Sequence, residues 1–137
     1  MSSLLIKWAP VALLSLCACH SYGPEQVAKR VSQKVESHVD DFIDEIDADE
    51  TQAPRIKALG QRVTKEIPSI VAKGPALKSA FVSAWKEPQP SAEPLHAQID
   101  ASLAVVGKAL HTAADAWVEL HSILTPEQRE EVSSHFR

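Results

Sequence analysis

The chain has 137 residues and 14.9 kDa, enough for one small domain. Apolar residues make up 45%, yet aromatics only 5% and glycines only four, so aliphatic helix seams are favoured over a thick core. Fourteen Lys and Arg against eighteen Asp and Glu give a net charge of -4, which offers no electrostatic attraction to a polyanion; nucleic acid is not an expected partner.

Residues 1–18 differ from the rest. Lys7 precedes an apolar run from Trp8 to Leu16 that is too short to span a bilayer and has the form of a secretory leader. Leu16-Cys17-Ala18-Cys19 then resembles a bacterial lipobox. Cys19 is the expected lipidated residue, because Cys17 would place the bulky Leu16 at the position before cleavage. Residues 19–23 read as a lipidated tether and 24–137 as the mature helical domain. That domain has no cysteine left for a disulfide, and thirteen basic against eighteen acidic residues give it a net charge of -5. His20, following Cys19, fits delivery to the outer membrane. The expected location is the periplasmic side of a bacterial membrane, held by the lipid.

Pro24 suits the first turn of a helix. Val27, Val31, Val35, Val39, Phe42 and Ile46 follow at steps of three and four, which defines one helical face. The opposite face turns acidic, with eight carboxylates and no base from Glu36 to Glu50. A second pattern from about Gln52 to Trp85 uses Ile56, Leu59, Val63, Ile67, Ile70, Leu77, Phe81 and Trp85. Pro68 and Gly74-Pro75 predict that this helix is kinked or broken, since proline removes helical hydrogen bonds. Three prolines between Glu87 and Pro94 mark a loop. The third pattern, Ile99, Leu103, Val106, Leu110, Ala113, Trp117, Leu120 and Leu124, has the spacing of a coiled-coil seam and is expected to close on a neighbouring helix or on a second copy. Thr125 and Pro126 then fit the N-cap and first position of a short last helix. No segment alternates as a strand would, so the fold class is all-α.

Leu124-Thr125-Pro126-Glu127-Gln128 carries the LTxxQ signature and resembles the Spy/CpxP-like periplasmic proteins, a group that includes zinc-resistance-associated proteins and heavy-metal sensors. A degenerate first copy reads Asp49-Glu50-Thr51-Gln52, with Asp49 where Thr is usual. The resemblance covers about residues 25–137. It implies a long antiparallel helical hairpin with flanking helices, often paired into a curved homodimer. It further implies a binding protein of envelope stress whose partners are unfolded or stress-damaged envelope proteins, or a membrane-bound regulator. The motif itself reads as structural, with Thr125 capping a helix and Gln128 reaching a neighbouring loop. Met1 is the only methionine, so no methionine-rich binding surface follows it.

Six histidines, His20, His38, His96, His111, His121 and His135, raise a competing metal-binding reading. Imidazole with carboxylate suits Zn, Ni, Co or Cu. His38, Asp41 and Glu45 share a face of the first helix, and His121 joins them if the fold brings those ends together. The plainer reading is a set of solvated or capping histidines beside a solvated acidic face. Nucleophile elbows and glycine-rich phosphate loops are absent, so no enzyme is expected.

Overall fold

The computed structural model describes residues 23–134, which contain six α-helices and no strand. They are α1 (Pro24–Glu45), α2 (Gln52–Thr64), α3 (Ile67–Val71), α4 (Lys73–Lys86), α5 (Glu93–Ile123) and α6 (Pro126–Ser134). The expected leader and the lipidation residue Cys19 lie outside the described residues.

Prolines set most of the boundaries. Pro24, Pro68, Pro94 and Pro126 each fall in the first turn of a helix, where a missing N–H costs nothing. A proline ring also clashes with the carbonyl four residues earlier. The expected breaks appear accordingly: α2 stops at Thr64, four residues before Pro68, and α3 stops at Val71, four before Pro75. The segment 52–86 is thus a helix in three pieces, and it runs antiparallel to the unbroken α5 as the second arm of a hairpin.

Helix α1 flanks that hairpin by packing on α2 and α3, while α4 packs on α3 and α5. The α1–α2 approach is close. A Cβ on Gly60 of α2 would sit 2.8 Å from Cγ2 of Val39, nearer than ordinary van der Waals contact, so glycine is what this crossing requires. Surface ion pairs mark the register without supplying much stability: Lys57 to Asp40 at 2.9 Å, Arg62 to Glu119 at 2.9 Å and Lys108 to Glu66 at 3.0 Å.

The core gathers at one end. Ile43 and Ile46 of the α1 terminus, Ile56 and Leu59 of α2, and Ala116, Ile123 and Leu124 of α5 and its exit form one buried cluster, with Phe42, Val63, Leu120 and Val132 packed against it. By contrast α3, α4 and α6 contain no fully buried residue. The far half of the hairpin is therefore thin.

Two expected seams close only in part within the chain. On α5, Leu103, Val106, Leu110 and Trp117 are exposed, at 63%, 38%, 66% and 53%. The side turned inward carries Ser102, Val105, Ala109, Thr112 and Ala116 together with Ile99, Ala113 and Leu120 of the expected seam, whose last residue, Leu124, is in the core. Small residues there let α5 approach the broken arm closely, and the larger leucines turn outward. On α4 the second pattern holds to Leu77, after which Ala80 and Ala84 face in and Phe81 and Trp85 face out.

This register has a measurable signature. Leu110→Ala is expected to change the unfolding free energy by less than about 0.5 kcal/mol, as for an exposed site, whereas Ile123→Ala is expected to cost about 2–4 kcal/mol. Denaturant melts of the two variants check it, and the reverse order would restore the seam expected from sequence.

Candidate functional site, a paired-glutamine clasp

The two motif copies each begin a helix and meet at the core end. In the second copy, the backbone N–H of Thr125 donates to Oε1 of Gln128 at 2.9 Å, and the N–H of Gln128 donates back to Oγ1 of Thr125 at 3.3 Å. This reciprocal pair is a capping box. The first copy repeats it with different chemistry. The N–H of Asp49 donates to Oε1 of Gln52 at 3.1 Å, and the N–H of Gln52 donates to Oδ1 of Asp49 at 2.8 Å. Oδ1 also accepts from the N–H and the hydroxyl of Thr51, at 2.8 and 2.7 Å. Aspartate in place of the usual threonine thus strengthens the cap.

Each glutamine then reaches across to the other copy. Nε2 of Gln52 donates to Oε1 of Gln128 at 2.9 Å, and Nε2 of Gln128 donates to Oε1 of Gln52 at 3.1 Å. The remaining amide hydrogens go to helix-terminal carbonyls: Gln52 to Ile123 O and Gln128 to Ile46 O, both at 3.0 Å. Every donor and acceptor position of both amides is filled. That is the condition on which a side chain as buried as Gln52, 7% exposed, is tolerated beside a hydrophobic cluster.

The two halves are related as near-equivalents, but the first turn is one residue longer between its terminal carbonyl and its glutamine. Asp47 absorbs the extra residue in the left-handed region, at φ 49°. Around it the N–H of Ala48 donates to Ile43 O at 3.0 Å and that of Asp47 to Asp44 O at 3.3 Å, a Schellman close of α1. The α5 exit ends differently. Nη1 of Arg129 donates to His121 O and Leu124 O, both at 3.2 Å, placing a cation on the negative end of α5. Arg129 and the carbonyls of Ile46 and Ile123 were not legible as site groups. Leu124, the first motif residue, is 5% exposed in the core.

Beside the clasp, Trp117, Leu120, His121, Leu124, Arg129, Val132 and Ser133 line an open, mostly apolar cleft of about 230 Å³. The metal candidates are not brought together. Nδ1 of His38 lies 3.9 Å from Oδ2 of Asp41, both side chains largely exposed, and among the described residues no three His, Cys, Asp or Glu side chains are grouped to hold an ion. Glu45 and His121 therefore complete no site with them.

Two carboxylates respond to the caps. Hydrogen bonds from the Thr51 hydroxyl and from the backbone N–H groups of Gln52 and Thr51 hold the Asp49 carboxyl below its usual range. The Glu127 carboxyl is lowered by its own backbone N–H and by the Thr125 hydroxyl. A pKa depressed in the folded state contributes stability above the unfolded value, and that stability is lost as the pH falls through the folded value. Acid melts between about pH 5 and 3 are therefore expected to show a shallower loss for Asp49→Asn than for the parent chain; equal slopes would remove the carboxylate from the cap. Thr125→Ala is expected to cost about 1 kcal/mol in denaturant melts by unmaking the second cap.

No curated protein and no solved structure matches the chain. A family model does, that of the LTXXQ motif family protein, over residues 34–136, which takes in both glutamines and every helix but the start of the first. With its two motif copies joined in one clasp, the chain belongs to the LTXXQ motif family.

Proposed function

We propose that the protein is a lipid-anchored, periplasmic binding protein that holds exposed apolar segments of unfolded envelope proteins. The observation that carries this reading is the outward stripe of α5: Leu103, Leu110 and Val118 are 63%, 66% and 70% exposed on a helix whose inner face is built from smaller residues. A fold that spends its small residues on packing and turns its leucines to solvent presents apolar area that its own stability does not need. Such an area fits reversible contact with apolar segments. The clasp supports this role by fixing the end of α5 rigidly while leaving the stripe open. Family membership agrees with a periplasmic helical protein of this kind. Attachment through Cys19 and delivery to the outer membrane complete the proposal from the sequence.

Sensing or buffering of Zn, Ni, Co or Cu is the alternative. It has the single His38–Asp41 approach in its favour, and one exposed imidazole with one carboxylate leaves most of a coordination sphere to other groups.

The test uses Leu110→Glu, which adds a charge to the stripe at an exposed position and is expected to leave thermal stability unchanged. Suppression of light scattering by an unfolding, apolar client should fall severalfold for Leu110→Glu and stay at the parent level for His38→Ala. Unchanged suppression by Leu110→Glu contradicts the proposal. A halving of the particle mass by the same variant in sedimentation would show instead that the stripe is closed by a second copy in a homodimer.

A further inference from the structure

Helix α4 carries a different surface from α5. Its fourteen residues include Lys73, Lys78 and Lys86 and no acid. Lys78, Phe81, Val82, Trp85 and Lys86 follow at steps of three, one, three and one and fall on one outward face, while Leu77, Ala80 and Ala84 turn inward. Phe81 and Val82 are 46% and 44% exposed, and Trp85, at 90%, is the most exposed large apolar side chain among the described residues. An aromatic stripe bracketed by lysines on a surface helix is the composition that lies in a bilayer interface, with the ring at headgroup depth and the ammonium groups on lipid phosphates.

The placement of α4 agrees. Helix α1 packs on α2 and then on α3, so the chain enters α1 beside α3, and α4 continues from there. Pro24 lies five residue steps after Cys19. They reach ~18 Å when extended, comparable to the ~21 Å length of a fourteen-residue helix. This step rests on the lipid-anchor reading above. The charge pattern runs the same way. The first half of α1 holds Lys29, Arg30 and Lys34 against Glu25, whereas the eight acids from Glu36 to Glu50 lie toward the clasp end. Glu87 after α4 and Glu93 at the start of α5 are the opposing charges on the near side.

We propose that the outward face of α4, formed by Lys78, Phe81, Val82, Trp85 and Lys86, seats the protein on an anionic phospholipid surface, with the clasp end directed away from it. The bilayer is then the occupant of this face, and α5 remains open for the binding proposed above. Near an anionic surface each lysine contributes roughly fivefold in partitioning, so reversing two of them loses about 25-fold or more.

The experiment follows Trp85 in the full-length acylated protein mixed with vesicles of phosphatidylcholine alone or of phosphatidylcholine with phosphatidylglycerol, some carrying brominated acyl chains. Subtracting the signal of Trp85→Phe isolates this residue. The expected result is bromine quenching and a blue shift of Trp85 with phosphatidylglycerol, reduced by high salt and abolished in Lys78→Glu/Lys86→Glu whose circular dichroism matches the parent. Protein that pellets with both vesicle types while Trp85 stays unquenched overturns the proposal and leaves the anchor standing. Protein that fails to pellet with phosphatidylcholine but shows Trp85 quenching with phosphatidylglycerol removes the anchor and supports the α4 contact. Shielding of Trp85 by an unfolded client or by a second copy, without quenching by lipid, overturns it in favour of those occupants.

Discussion

Two carboxamides facing each other inside a hydrophobic cluster hold this fold at one end. Neither can be replaced by an acid or by an apolar group of similar size without leaving something buried and unpaired. A glutamate in place of Gln128 would lose both hydrogens, orphaning Ile46 O and one lone pair of Gln52. A leucine would also strand one hydrogen of the Gln52 amide. An unpaired buried group costs about 1–3 kcal/mol, and the network has several such groups. Glutamine is also the residue whose length lets one amide serve its own helix start and the opposite helix end together. The spacing of the motif follows from this: three residues carry a side chain back to its own cap, and the rest of the amide is left for the partner copy.

From the clasp the remaining architecture follows. It ties the α1–α2 turn to the α5–α6 turn, so the buried isoleucines and leucines collect around it and little core is left for the distant half of the hairpin. A thin hairpin must pack through small residues, which is why the alanines of α4 and α5 face each other's arm and the larger side chains face out. On α5 the residues that pack and the apolar residues that are exposed thus lie on different faces of one helix. The exposed residues of α4 and of the outer α5 stripe take no part in the buried cluster.

Much of this was legible in the residues. The all-α class, the breaks imposed by Pro68 and Pro75, the capped start at Thr125 and the structural character of the motif all follow from local rules that the tertiary fold obeys. The α5 register was not legible. Leu103, Val106, Leu110 and Trp117 have the spacing of a seam, and periodicity reports which residues share a face, not which way that face points. The direction was decided by Ala109, Thr112 and Ala116, which carry a weak hydrophobic signal but allow close approach, with Ala113 of the expected seam turned in beside them. Asp49 looked like a weakened motif residue because threonine is usual there; its carboxylate makes three bonds where a hydroxyl has fewer to offer. The contact between Gln52 and Gln128 joins positions 76 residues apart and has no local signal at all.

If the clasp is the interaction on which the fold depends, the two glutamines must be strongly coupled. A double-mutant cycle of Gln52→Ala, Gln128→Ala and the double variant in denaturant melts measures that coupling directly. Each single change is expected to destabilise the protein by about 1–3 kcal/mol. The double variant should cost well below the sum, leaving an interaction energy on the order of 1 kcal/mol or more. Additive effects, with an interaction energy below about 0.3 kcal/mol, would mean that the two amides act independently and that the clasp does not hold the molecule together.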